Sequence, residues 1–208
     1  MESISIDLNS AVYRDHANVQ LPETKLVSLS VNEYSYGDAS GLPAVNRILE
    51  SARGSEVLEL KIDDRILFVG PESITCTALT HLEITAPTTV DTMLAIIRTL
   101  PHLVKLTFKD LDLSDIQIDI SIPDADKDAV VEPLHTSLKS LNIASSWDSR
   151  VWNAARAVEV LEYMLLRIPT LTRVHSREIP KEPVRNFVWS YTPRYPHLSG
   201  VVLSLHGA

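Results

Sequence analysis

Leu100-Pro101-His102-Leu103-Val104-Lys105-Leu106-Thr107-Phe108 joins two local instructions in one short stretch. Pro101 cannot continue a helix, and it pushes Leu100 toward extended backbone. Leu103, Leu106 and Phe108 then follow the pattern apolar, two variable positions, apolar, one variable position, apolar. The last part of that pattern has the period of two of a strand with one buried face. The stretch predicts a passage from the end of a helix into a short strand. Ile168-Pro169-Thr170-Leu171 and Tyr195-Pro196-His197-Leu198 share the same lead-in.

Working outward, the hexamer recurs. It reads Leu26-Val27-Ser28-Leu29-Ser30-Val31, Val57-Leu58-Glu59-Leu60-Lys61-Ile62 and Leu79-Thr80-His81-Leu82-Glu83-Ile84 before the opening stretch. After it come Leu138-Lys139-Ser140-Leu141-Asn142-Ile143, then Leu171-Thr172-Arg173-Val174-His175-Ser176, weakened by its serine, and Leu198-Ser199-Gly200-Val201-Val202-Leu203. Successive starts are 31, 22, 24, 35, 33 and 27 residues apart. Such quasi-regular recurrence is the mark of a repeat architecture.

The segments between hexamers read as helices where there is room. Ser40 caps one that holds Pro43 in its first turn, with Leu42, Val45, Ile48, Leu49 and Ala52 on one face and Gly54 at the stop. Thr88 and Asp91 form a capping pair ahead of Val90, Met93, Leu94, Ile97 and Leu100. Val151, Ala155, Val158, Leu161, Leu165 and Ile168 make the longest apolar stripe, and Val184, Phe187, Val188 and Tyr191 a shorter one after Pro183. Between Asp63 and Thr77 there is no helical period. Short strands alternating with helices imply parallel strands joined by crossovers. Strands buried on both faces would be apolar throughout. These alternate with Ser, Lys, Glu, Thr, Asn, His and Arg, which favours a stacked solenoid over a doubly wound sheet.

These residues resemble the leucine-rich-repeat family, through Leu-x-x-Leu-x-Leu at seven sites from Leu26 to Leu203. The phrase Leu100-Pro101-His102-Leu103-Val104-Lys105-Leu106 is similar to the irregular, helix-bearing repeats of fungal F-box-type members. The family's asparagine or cysteine, three residues past the hexamer, is here Arg65, Pro87, Leu111 and Ser146 in the central units. Its internal hydrogen-bond ladder is therefore missing, and less regular stacking is expected. Leu21-Pro22-Glu23-Thr24 echoes the start of an F-box, but Leu26 to Val31 alternates as a strand where that module is helical. The resemblance implies an α/β leucine-rich-repeat solenoid (a horseshoe) with parallel strands on its concave face and helices and loops on its convex face. It would form a single domain over residues 1–208. Residues 1–25 would be an N-terminal strand or cap region, 26–203 about seven irregular repeats, and 110–132 an acidic insert.

In such a fold the variable positions of each hexamer line the concave face. The candidate partner-binding residues are Glu59, Lys61, His81, Glu83, Lys105, Thr107, Lys109, Ser140, Asn142, Arg173, His175 and Arg177. Trp147, in the loop Ser145-Ser146-Trp147-Asp148, is the best exposed-aromatic candidate, because aromatic anchors dominate interface energetics. Trp152 and Trp189 are expected in the core or filling grooves.

The chain has 208 residues with 19 basic and 27 acidic side chains, for a net charge of −8. That sum is uneven. Asp110, Asp112, Asp115, Asp119, Asp124, Asp126, Asp128 and Glu132, against Lys127 alone, give one segment a charge of −7. Asp124-Ala125-Asp126-Lys127-Asp128 has the start of a calcium loop. Ala129 and His135 occupy the positions that need glycine and glutamate, so no calcium site is expected. The segment reads as a solvated loop, set close to the basic end of the concave face. Before it, Ile116, Ile118, Ile120 and Ile122 alternate as a half-buried strand.

The single cysteine, Cys76, excludes an internal disulfide and a four-cysteine zinc site and suits a buried structural thiol. No phosphate-binding loop, dinucleotide fingerprint or nucleophile elbow occurs among the six glycines. The expectation is a non-enzymatic protein-recognition module without cofactor or metal, acting as an adaptor or substrate-recognition protein. A hydrolase-like enzyme on an open α/β fold is the alternative, as is a structural fragment of a longer repeat chain. The acidic balance argues against nucleic acid. No apolar run approaches a membrane span, and Met1 to Asp7 lacks a basic region leading into an apolar one. An intracellular protein, cytoplasmic or nuclear, is expected, with a protein partner and a homodimer through an uncapped solenoid end as a corollary.

Overall fold

A computed structural model of the chain describes residues 2–9, 26–34, 59–64, 78–85, 88–113, 116, 119–120, 122, 131–144 and 153–206. The fold is mixed α/β, with a parallel sheet and, among the described residues, three α-helices. The first strands are β1 (Glu2–Asn9), β2 (Leu26–Tyr34), β3 (Glu59–Asp64) and β4 (His81–Ile84). Then come β5 (Thr88–Thr89), α1 (Val90–Thr99), β6 (Lys105–Phe108), β7 (Leu111–Asp112) and β8 (Ser140–Ile143). The chain continues through α2 (Ala154–Arg167), β9 (Arg173–Pro180), α3 (Lys181–Tyr191), a 3-10 turn at Pro196–Gly200 and β10 (Val202–His206).

Among the described residues, eight strands form one sheet in the order β1-β2-β3-β4-β6-β8-β9-β10, and every pairing is parallel. The order never reverses, so each strand is laid beside its predecessor. A doubly wound sheet would reverse at a switch point. β5 and β7 form a separate two-stranded parallel pair.

The three proline lead-ins set the entry into the sheet. Leu100, Ile168 and Tyr195 hold nearly the same backbone, with φ of −111°, −122° and −119° and ψ of 80°, 80° and 79°. All three lie outside the helical region, from which a following proline excludes its neighbour. In each case the leucine three residues on closes the turn: Leu103 N–H donates to Leu100 O at 3.1 Å, Leu171 to Ile168 at 3.0 Å and Leu198 to Tyr195 at 3.0 Å. The chain then enters the sheet by a repeated two-for-one contact. Thr80 O accepts from the amides of Val104 and Lys105, Val104 O from Lys139 and Ser140, and Lys139 O from Thr172 and Arg173.

One core results. Leu82, Ile84, Leu106, Phe108, Leu141, Ile143 and Val174 from the strands, each at most 2% exposed, pack in a single cluster with Met93, Leu94 and Ile97 of α1 and Leu161, Met164 and Leu165 of α2. The helix stripes fall largely where their spacing places them, with three differences. The N-cap of α1 is Thr89 rather than Thr88; its hydroxyl accepts the Thr92 amide at 3.2 Å. The second long helix starts at Ala154, capped by Asn153, and Ala155 lies on its exposed side. Trp189, expected inside, is 81% exposed on α3, because the apolar face of that helix is carried by Val184 and Phe187.

The final hexamer is shifted from its expected place. Leu203 pairs with Val174, and Val202 with Arg173, so Leu203 occupies the second apolar position and not the third. Two extra residues precede this strand, and the 3-10 turn takes them up. The penultimate hexamer keeps its serine inward. Ser176 is buried, and its hydroxyl accepts from the amides of Glu178 and Ile179 while donating to the Glu178 carboxylate.

Of the isoleucine alternation, Ile120 is buried and Ile116 and Ile122 pack against the core, but none of the three belongs to a strand. The described parts of the acidic insert lie with the helices. Leu111 and Leu113 are buried, and near its end Glu132 O accepts from the Arg167 guanidinium at the foot of α2. Ser40 to Gly54, Cys76, Asp124 to Asp128, Trp147 and Trp152 lie outside the described residues.

Candidate functional site

Because side chains alternate along a strand, burying Leu82 and Ile84 on one face sends His81 and Glu83 to the other. Parallel registration then aligns these outward positions across the sheet. One row runs Ser28, Glu59, His81, Lys105, Ser140, Arg173, Val202. The next runs Ser30, Lys61, Glu83, Thr107, Asn142, His175, Ser204. Twelve of the thirteen sequence-derived candidates therefore stand in two adjacent rows or directly beyond them: Lys109 follows β6, and Arg177 lies further along β9. For Glu59 and Lys61 the register position is what the structure gives. Trp147 is not among the described residues.

Within the rows, His81, Lys105, Lys109, Arg173, His175 and Arg177 are exposed, while Glu83, Ser140 and Asn142 are half-buried. Thr107 departs from expectation. It is 3% exposed, so it belongs to the floor of the face and offers little surface to a partner. Its register neighbour Glu83 pairs diagonally with Lys109, at 3.8 Å. That pairing replaces the His81–Glu83 contact that adjacency in sequence suggests; the His81 ring instead meets the Thr80 hydroxyl at 2.9 Å. Exposed at this distance, the Glu83–Lys109 pair contributes between nothing and about 1 kcal/mol.

No ion pair to Lys105, Arg173 or Arg177 occurs among the described residues. The three cations stand in water on one face of a chain whose net charge is −8. No cluster of three or more His, Cys, Asp or Glu suited to a metal ion occurs among the described residues. The same residues include no helix long and apolar enough to cross a membrane.

Two histidines that sequence inspection passes over are structural. His135 is buried with its Nε2 2.9 Å from Leu100 O, and its Nδ1 accepts from the amides of Ser137 and Leu138. His197 Nε2 lies 3.0 Å from Leu165 O. Each ties the last turn of a helix to the segment leading into a strand more than 30 residues later. No local pattern announces such a contact, because the partner carbonyl lies more than 30 residues away in the sequence.

At the far edge of the sheet, Val202 is 59% exposed, and Leu203 and Leu205 are half-buried against the core. Compared with known proteins, the chain matches no protein-family model, no curated protein and no solved structure.

Proposed function

We propose that this chain is a repeat-solenoid recognition module of the leucine-rich-repeat type, binding a protein partner through the outward rows of its sheet and acting as an adaptor without catalysis. One observation carries the reading: the aligned polar rows across β4, β6, β8 and β9, backed by an apolar core on the other face. A wide polar face on a rigid support presents many side chains at once. Complementary charge on such a face steers encounter and fixes register. The sequential order of parallel strands and the recurring proline lead-in support the repeat character.

A photo-cross-linking residue placed at Asn142, and in a second protein at Glu182 on the exposed side of α3, tests the reading in a source lysate. The expected result is a discrete protein adduct from Asn142 and none from Glu182. Equal labelling from both positions, or labelling from Glu182 alone, would overturn it.

A further inference from the structure

The outward face is not uniform. β6 carries Lys105, with Lys109 one residue beyond its end, and β9 carries Arg173, His175 and Arg177. The strand between them, β8, presents only Ser140 and Asn142, with Ala144 just past it. Register makes Lys105, Ser140 and Arg173 consecutive neighbours, and Thr107, Asn142 and His175 the next row. With adjacent strands about 4.8 Å apart, the β6 and β9 backbones stand about 10 Å from each other. Long cationic side chains on both sides and short neutral ones between them make a trough. Its axis is β8, and its two walls are positive.

The geometry points to this trough as the binding site for an extended, carboxylate-rich peptide segment of a partner protein, lying along β8 between the two cationic walls. The inference rests on the recognition reading above and names its ligand. Lys105, Arg173 and Arg177 have no ion pair among the described residues, so each has charge to offer. Along β9, Arg173 and His175 stand two residues apart, about 7 Å, which is the spacing of alternate side chains in an extended peptide. The Asn142 amide and the Ser140 hydroxyl supply both donors and acceptors for a peptide main chain. A single-stranded nucleic acid would need aromatic platforms for its bases, and none of the outward residues of β4, β6, β8 and β9 is Phe, Tyr or Trp. The net charge of −8 also opposes a long polyanion more than a short acidic segment.

Fluorescence anisotropy with a short labelled peptide alternating aspartate and serine tests this on the full chain. Its controls are the matched asparagine–serine peptide and an oligothymidylate of similar length. The aspartate peptide should bind, and binding should weaken as salt rises. The double variant Lys105→Glu/Arg173→Glu should lose about tenfold or more in affinity. Lys181→Glu/Arg185→Glu, which changes the net charge equally on α3, should bind as the parent does. Circular dichroism and the unfolding midpoint establish that both variants are folded; these side chains are exposed and remote from the core. Should the asparagine peptide bind equally well, or the two double variants weaken binding equally, the acidic-peptide assignment fails. Tighter binding of the oligothymidylate, lost with Lys105 and Arg173, would overturn it in favour of nucleic acid. Cross-linking from Asn142 does not depend on ligand charge. A protein adduct there with no aspartate-peptide binding would leave the recognition reading standing and remove this inference alone.

Discussion

The imidazole of His135 reaches the carbonyl oxygen of Leu100 at 2.9 Å, joining the end of α1 to the approach to β8. Its other nitrogen accepts two amides, from Ser137 at 3.0 Å and Leu138 at 2.9 Å. Nδ1 is therefore the acceptor, and the Nε2–H donates to Leu100 O. One ring thus satisfies two strand-entry amides and gives the helix-end carbonyl, which also accepts from Leu103 N–H, a second donor.

Replacing that ring should be costly out of proportion to its size. His135→Ala leaves the Ser137 and Leu138 amides without their acceptor and removes one of the two donors to Leu100 O, at about 1–3 kcal/mol for each amide fully desolvated. We expect an overall loss of about 3 kcal/mol, read from the urea midpoint. His135→Phe keeps the bulk and removes the bonds, and should lose nearly as much. A phenylalanine variant as stable as the parent would show that packing, and not hydrogen bonding, is what His135 supplies.

Restoring the apolar pattern at Ser176 should fail to stabilise the protein. The hydroxyl accepts from the Glu178 and Ile179 amides at 3.3 and 3.4 Å and donates to Glu178 at 3.1 Å. Ser176→Val brings the hexamer closer to its consensus but leaves those amides without their acceptor. A loss of about 1 kcal/mol is expected, and an increase in the thermal midpoint would contradict it.

Tyr195 presents the opposite case. Its ring lies in an aromatic series, 6.3 Å from Tyr191 and 6.2 Å from His197 by centroids, yet its buried hydroxyl has no hydrogen-bond partner among the described residues. Tyr195→Phe keeps the ring contacts and removes the unsatisfied group. It should be neutral or stabilising by up to about 1 kcal/mol, and a clear loss in chemical denaturation would refute this.

Glu162 makes stability depend on pH. Burial, and then the neighbouring Glu159 carboxylate, push its acid from the ordinary 4.5 up to about 7. The folded state thus holds this proton more tightly than the unfolded chain does. Its stabilising contribution is complete below about pH 4.5 and is lost as the pH rises through about 7. The side chain is half-buried, and solvent screening reduces the effect to the order of 1 kcal/mol. Relative to Glu162→Gln, the parent should lose about that much stability between roughly pH 5 and pH 8. Parallel pH profiles for the two proteins would show that the charge on Glu162 has no such role.

Local pattern and long-range contact divide the explanation of this chain between them. Leu100-Pro101-His102-Leu103-Val104-Lys105-Leu106 by itself determined where a helix ends, where a strand begins and which residues turn inward. Proline geometry and side-chain alternation act within a few residues, so they can be read without knowing the neighbours. The tertiary structure decided what stands beside what. Register brings Lys105, Ser140 and Arg173 into one row although more than 30 residues separate each from the next. It also sets Glu83 beside Lys109, buries Thr107 and moves Leu203 by two positions. Those outcomes depend on how much chain each crossover consumes and on which backbone groups remain for His135 and Ser176 to satisfy. Both are properties of the assembled sheet. The inward face follows from the alternation of the residues, and the charged trough on the outward face follows from their registration.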